Sequence, residues 1–142
     1  MKSFLKKTLV LIASFVMIAY LSSCDYAEKK EYYRQKENYV EATGTLVHFT
    51  YNYERTRIFL GFSDTQPAFD DYTFKIVGKS VQYVTDAGIE DKLEIGARVT
   101  FIVAPKYFGD GYAMPIVAIS VGDKLLLDFD TGYTHLMEWF DS

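Results

Sequence analysis

From residue 39 onward, the chain is built of short segments in which apolar and polar residues alternate. Alternation with a period of two is typical of β-strands that bury one face. The clearest case is segment 56–62, where Ile58, Leu60 and Phe62 fall on the same face. Similar segments, rich in β-branched and aromatic residues, predict further strands at 39–53, 71–78, 93–103, 114–121 and 124–129. The pattern therefore predicts a mainly β domain of five to six strands.

The segments between these strands predict turns and helical elements. Turn-forming residues place loops at 51–55, 63–70 and 106–112, with a two-residue type II′ turn at Gly122-Asp123. Gly44 marks a bulge or bend in the first strand. Residues 78–93 lack clean alternation, so we interpret them as a short helix or an irregular crossover.

The last segment of the chain predicts a C-terminal helix. Thr131 is expected to cap it, because a threonine side chain accepts hydrogen bonds from the first turn. Its apolar side would carry Leu136, Trp139 and Phe140. We expect this helix to pack its tryptophan against the sheet.

The order of the elements points to a small Greek-key barrel, with the crossover between the third and fourth strands. The fourth strand begins with the pattern Leu93-x-x-Gly96-x-x-Val99-x-Phe101. Over about residues 39–121, these features resemble an OB fold. The resemblance implies an OB-like barrel to which this chain adds an extra strand and the C-terminal helix. In such barrels the loops joining strands one to two and four to five commonly shape the binding face.

The N-terminal segment has the organisation of an export signal. Lys2, Lys6 and Lys7 precede an almost wholly apolar stretch that runs from Thr8 to Leu21. This stretch has an apolar core of roughly 13 residues, whereas crossing the hydrocarbon core of a bilayer takes about 20. Small residues follow it, as they do before the cleavage point of a signal peptide. The alternative is an uncleaved membrane helix that extends into the flanking residues.

The four residues Leu21-Ser22-Ser23-Cys24 resemble the lipobox of bacterial lipoproteins, and Cys24 is the only cysteine of the chain. The resemblance implies cleavage before Cys24, a diacylglyceryl thioether on its sulfur and often a further N-linked acyl chain such as palmitate. Two or more acyl chains hold a protein stably on a membrane. The expected location is the extracytoplasmic side of the cell membrane. Small bacterial lipoproteins, which the whole chain resembles, imply no particular activity.

Three segments follow from these patterns: a lipoprotein signal peptide at 1–23, a charged tether at 24–38 and a barrel-like domain at 39–142. The tether carries both charge signs and has no Gly or Pro, unlike flexible Gly/Ser linkers. Side chains four residues apart, such as Glu28 and Tyr32, favour a stalk helix. A disordered charged linker is the alternative.

Charge argues against nucleic acid as a partner. Removal of residues 1–23 takes away three lysines and no acidic residue, which leaves 12 Lys plus Arg against 19 Asp plus Glu, a formal charge near −7. Binding to phosphate backbones is driven by Lys and Arg, which displace counterions. The mature chain is therefore expected to repel nucleic acids.

The two loops that flank the expected binding face are rich in aromatic residues. The candidate ligand-binding residues are Tyr51, Tyr53, Tyr107, Phe108 and Tyr112. Aromatic faces stack on sugar rings, and neighbouring polar groups could bind hydroxyls, so a cell-envelope glycan or a protein partner is the expected ligand. The alternative is that these rings pack the loops onto the barrel.

No catalytic or metal-binding set can be found by spacing. His48 and His135 are far apart in sequence, and we expect His48 to be a half-buried strand residue rather than a base. Asp70 and Asp71 are adjacent, so in a strand they would point to opposite faces, which does not suit paired acid–base catalysis. The sequence thus predicts no cofactor, no metal and no enzyme, but a binding module. A small carboxylate-dependent envelope hydrolase and a structural subunit of an envelope complex are the alternatives.

Overall fold

The computed structural model of the protein describes residues 26–109 and 111–142. The chain divides into two compact units between residues 34 and 35. The described part of the first unit is a helix, α1, over residues 26–34, with an ion pair between Glu31 and Arg34 (3.2 Å). The predicted signal peptide and the lipobox cysteine Cys24 lie outside the described residues.

The second unit is a closed β-barrel with an added strand. Its strands are β1 (Val40–Tyr51), β2 (Ile58–Gln66), β3 (Thr73–Ile76), β4 (Arg98–Val103), β5 (Ala113–Val121) and β6 (Lys124–Leu127). The antiparallel order is β3-β2-β1-β4-β5-β6, and a parallel pairing of β3 with β5 closes the barrel. This is the five-stranded arrangement of an OB-like barrel, so the predicted fold class is confirmed.

Strand β1 is the central partner of the sheet, since it pairs with β2 on one edge and with β4 on the other. The register with β2 shifts between Thr43 and Thr45, so the bulge predicted at Gly44 is confirmed. A Cβ at Gly44 would lie 2.8 Å from the Phe62 Cβ, which is closer than real Cβ contacts. Only glycine lets β1 approach β2 so closely at the bend.

Strand β2 is longer than the sequence predicts. Segment 63–70 was expected to be a loop, yet Ser63–Gln66 continue the strand and pair with Thr43 and Thr45 of β1. Asp64 takes a left-handed φ of 50° there, which accommodates the irregular register. The loop that follows is tied down by Asp70, which accepts a hydrogen bond from the Thr65 backbone (3.1 Å).

The barrel interior is filled with apolar side chains from the inward faces of the strands. At its centre the rings of Phe62 and Phe101 stack with their centroids 4.4 Å apart, and Phe74 meets Phe101 edge-on at 5.1 Å. All three rings are at most 1 % exposed. The period-two pattern predicts that Ile58, Leu60 and Phe62 share one face of β2, and the structure confirms that this face is buried.

Two short helices fill the crossover between β3 and β4, as residues 78–93 predict: α2 (Lys79–Asp86) and α3 (Ile89–Lys92). The C-terminal helix is α4 (Phe129–Asp141). Its cap is Asp128 rather than Thr131, because the helix begins three residues earlier than expected and the Asp128 carboxylate accepts from the Thr131 backbone N–H (3.0 Å).

Helix α4 lies against the outer face of β5. Leu136 and Phe140 are buried, and Trp139 is half-buried over Gly78 at the start of α2. A Cβ at Gly132 would lie 1.8 Å from the Val117 carbonyl oxygen, so a glycine is required where the helix crosses the strand. The predicted apolar side of the helix is confirmed.

Candidate functional site

The loop between β1 and β2, residues 52–57, is held by the side chain of Asn52. Its Oδ1 accepts from the backbone N–H groups of Thr56 (2.8 Å) and Arg57 (2.9 Å), and its Nδ2 donates to the Thr56 hydroxyl (2.8 Å). The Arg55 backbone N–H donates to the Asn52 carbonyl (3.0 Å). The loop is therefore a fixed turn, although most of its side chains are exposed to solvent.

Arg55 joins this loop to the crossover helices. Its backbone has a left-handed φ of 57°, which is costly for a residue other than glycine. The guanidinium lies over the ring of Tyr51, with its carbon 3.8 Å from the ring centroid, and forms an ion pair with Glu90 of α3. Tyr51 in turn shares a hydrogen bond with the hydroxyl of Thr85 (2.8 Å).

The electrostatics of this network follow from its geometry. Hydrogen bonds from Arg55, and next from Tyr51, hold the pKa of Glu90 below its ordinary value. Partial burial raises the pKa of Tyr51. At neutral pH the network therefore holds an ionised Glu90 and a neutral Tyr51, so Arg55 is already partly neutralised before any ligand arrives.

Two of the five predicted ligand-binding residues share one surface. Tyr51 and Tyr53 line an open hollow of about 560 Å³ at the tip of the β1–β2 loop, together with Asn52, Arg55 and Glu90. Tyr53 is fully exposed (102 %). Tyr51, in contrast, is a packed residue with one face covered by Arg55, as the loop-packing alternative expects.

The other three predicted residues lie in the loop between β4 and β5 (residues 104–112). Phe108 and Tyr112 meet edge-on with centroids 5.4 Å apart, and Tyr107 lies 6.3 Å from Tyr72. Tyr107 is 51 % exposed. These rings have neighbours different from those of Tyr51 and Tyr53, so the five predicted residues fall into two groups.

Cations occupy ring faces in the β4–β5 group as well. Lys75 of β3 lies between two rings, with its Nζ 5.1 Å from the centroid of Tyr112 and 5.2 Å from that of Trp139. Lys106 lies 5.1 Å from the centroid of Phe108. The aromatic surface thus presents ammonium groups as well as ring faces.

A groove between the β1–β2 loop and α4 was missed by sequence reasoning. Its volume is about 410 Å³, and its lining residues are Arg55, Thr56, Arg57, Gly78, Val81, Gln82 and Trp139. We call it the Arg57 groove. Sequence spacing carried no signal for it, because residues 57, 82 and 139 come together only through the fold.

The histidines occupy different environments. His48 is exposed on β1, so the expectation that it would be half-buried is wrong; its partner on β2 is Gly61, which has no side chain to cover the imidazole. His135 lies in α4 as predicted, and its Nδ1 is 3.0 Å from the Oγ of Ser80. Because Ser80 is only 3 % exposed, this hydrogen bond joins α2 to α4 and does not present a nucleophile to solvent.

The carboxylates with a shifted pKa are all stabilised in the charged form. The Thr131 hydrogen bonds lower the pKa of Asp128, and the Lys79 ammonium (2.8 Å) lowers that of Glu138. A general acid in glycoside hydrolysis needs a raised pKa instead. Among residues 26–109 and 111–142, no three His, Cys, Asp or Glu side chains are grouped as a metal site requires.

In the described part of the chain, no helix has both the length and the apolar character needed to span a bilayer.

Comparison of the chain with models of known protein families, with curated proteins and with solved structures finds no significant match.

Proposed function

We propose that this protein is a lipid-anchored, non-enzymatic binding module on the extracytoplasmic side of a bacterial cell membrane. Acylation of Cys24 would hold it there, and a partner in the cell envelope would bind at the end of the barrel that carries the β1–β2 loop. The lipobox at residues 21–24 supports the anchor. The fold supports a binding role, since OB-like barrels commonly bind through this loop.

The single observation that carries the proposal is the contrast within the β1–β2 loop. Asn52 and Arg55 fix the backbone by hydrogen bonds and an ion pair, while the ring of Tyr53 is fully exposed at the tip. Ordering a loop costs conformational entropy. A fully exposed aromatic ring buries no surface in the fold, so it does not stabilise the folded state. Rigid, exposed tyrosines are typical anchors of binding surfaces.

The binding part of the proposal is tested by site-specific photo-crosslinking in cells that express the full chain. A photoreactive phenylalanine analogue at Tyr53 should give a discrete crosslinked adduct in the envelope fraction. The same analogue at Val47, which is 54 % exposed on β1, is the matched control for exposure alone. An identical crosslinking pattern at both positions would contradict a binding site at the loop tip.

The anchor is tested separately with Cys24→Ala. The wild-type chain should incorporate a labelled fatty acid and sediment with membranes, whereas the variant should do neither. If the variant remained membrane-bound and uncleaved, the N-terminal segment would be acting as a membrane helix instead.

A further inference from the structure

The Arg57 groove contains an arginine, Arg57, whose guanidinium pairs with no described carboxylate. Of the four arginines, Arg34 pairs with Glu31 and Arg55 with Glu90, and Arg98 donates to the Asp64 carbonyl (2.8 Å). The Arg57 side chain has no hydrogen bond or ion pair to any described residue, and it is exposed. A guanidinium matches a carboxylate in a two-pronged geometry.

The other polar groups of the groove complement a peptide. The indole N–H of Trp139 is a donor only, and no described residue accepts from it. The Gln82 amide nitrogen already donates to Asp86 (2.7 Å), so its carbonyl oxygen is the atom left for a ligand. A peptide offers what these groups need, since each of its units has one carbonyl acceptor and one N–H donor.

The ring faces make a glycan a weaker fit for this groove. Trp139 is the aromatic residue that lines the groove, and the Lys75 ammonium lies over its ring, 5.2 Å from the centroid. Stacking on a sugar needs bare faces, whereas a carboxylate needs the cation. A polyanion is also disfavoured, because one unpaired guanidinium neutralises one charge and the mature chain is expected to be negative overall.

We infer that the Arg57 groove binds an acidic segment of a partner protein. Arg57 holds one side-chain carboxylate of that segment, and the indole of Trp139 contacts the apolar side chain next to it. This inference rests on the proposed function and adds the chemical class of the partner.

The test uses Trp139 as the reporter, because it is the only tryptophan of the chain. The full chain in a neutral detergent is titrated with blocked pentapeptides that carry one glutamate beside a varied apolar residue. Each peptide has a twin with glutamine in place of glutamate. We expect a saturable change in tryptophan emission with at least one glutamate peptide, and binding about tenfold weaker with its twin.

Two variants of equal charge change locate the effect. Arg57→Gln should weaken binding of the glutamate peptide to the level of the glutamine twin. Lys124→Gln removes one positive charge from an exposed position at the start of β6 and should leave affinity within about twofold. Both positions are exposed, so neither substitution is expected to disturb folding.

Four results would overturn the inference. Equal affinity for a glutamate peptide and its glutamine twin would show that the groove does not recognise a carboxylate. A loss of affinity with Lys124→Gln as large as with Arg57→Gln would show that overall charge, and not Arg57, determines binding. Glucuronate or inorganic phosphate binding as tightly as the best peptide would assign the groove to another ligand. Specific crosslinking at Tyr53 without any response of Trp139 would leave the proposed function in place and overturn this inference alone.

Discussion

Replacing Gly132 with alanine is the sharpest test of how α4 is attached to the barrel. The added Cβ would lie 1.8 Å from the Val117 carbonyl oxygen, where ordinary contact needs about 3.5 Å. The obstacle is backbone on both sides, so the helix must retreat by well over an ångström. Leu136 and Phe140, which are 3 % and 6 % exposed, would lose part of their burial.

The magnitude follows from those two side chains. Full burial of each is worth about 1.5–3 kcal/mol, so complete undocking would cost about 3–6 kcal/mol. Replacing glycine by alanine inside a helix stabilises the helix by about 1 kcal/mol, which offsets part of this cost. We therefore expect Gly132→Ala to lower the free energy of unfolding, with complete undocking of the helix setting an upper limit of about 2–5 kcal/mol.

The assay is urea unfolding of the full chain, followed by both circular dichroism and Trp139 emission. Thr134→Ala, at an exposed position in the same helix, is the control and should change stability by less than about 0.5 kcal/mol. In the Gly132 variant, the emission should also shift to the red before unfolding, because Trp139 loses its contact with Gly78. A variant as stable as the wild type, or about 1 kcal/mol more stable, would refute this packing of α4 on β5.

Three further substitutions test the loop, the helix cap and the bend in β1. Asn52→Ala removes three hydrogen bonds and should cost about 1–2 kcal/mol by thermal unfolding, with faster amide exchange confined to the loop. Asp128→Ala should cost about 1 kcal/mol at neutral pH. Because the folded pKa of Asp128 is lowered, its stabilisation is fully present above about pH 4 and is lost as the pH falls through that lowered pKa; the two proteins should therefore converge in acid. Gly44→Ala brings a Cβ within 2.8 Å of Phe62 and should destabilise by about 1–3 kcal/mol, and an unchanged melting temperature would contradict the close approach of β1 and β2.

The sequence predicts those parts of the fold in which buried residues recur at regular intervals along a short segment. Ile58, Leu60 and Phe62 alternate because one face of β2 lies in the core, and the structure leaves all three at most 1 % exposed. Ser63–Gln66 carry no such pattern, since they are polar and turn-forming, yet they extend β2. Their strand conformation comes from pairing with distant β1, which outweighs local preference.

The helix cap shows a similar limit at shorter range. Asp128 and Thr131 are both good caps, so composition alone does not choose between them. The chain uses Asp128, which follows directly on the last residue of β6, Leu127, and accepts a hydrogen bond from the Thr131 backbone N–H. Sequence patterns therefore locate a helix end to within a few residues, and the neighbouring element decides where it begins.

Only part of the candidate site could be predicted from the sequence, for a related reason. Tyr51 and Tyr53 belong to a single turn, so a local pattern could identify them. Arg57, Gln82 and Trp139 belong to the β1–β2 loop, a crossover helix and the last helix, and no local pattern in the sequence connects them.

Overall charge was also a poor guide to the chemistry of the Arg57 groove. Nineteen acidic residues make the chain negative, but a charge sum says nothing about which cations are already neutralised. Glu90 takes up Arg55, and no described carboxylate takes up Arg57. A protein with a net negative charge can thus keep one cationic side chain without an ion-pair partner. The negative surface around Arg57 then makes the groove selective. A segment with a single carboxylate pairs with Arg57, whereas a ligand with many negative charges is repelled by the rest of the surface.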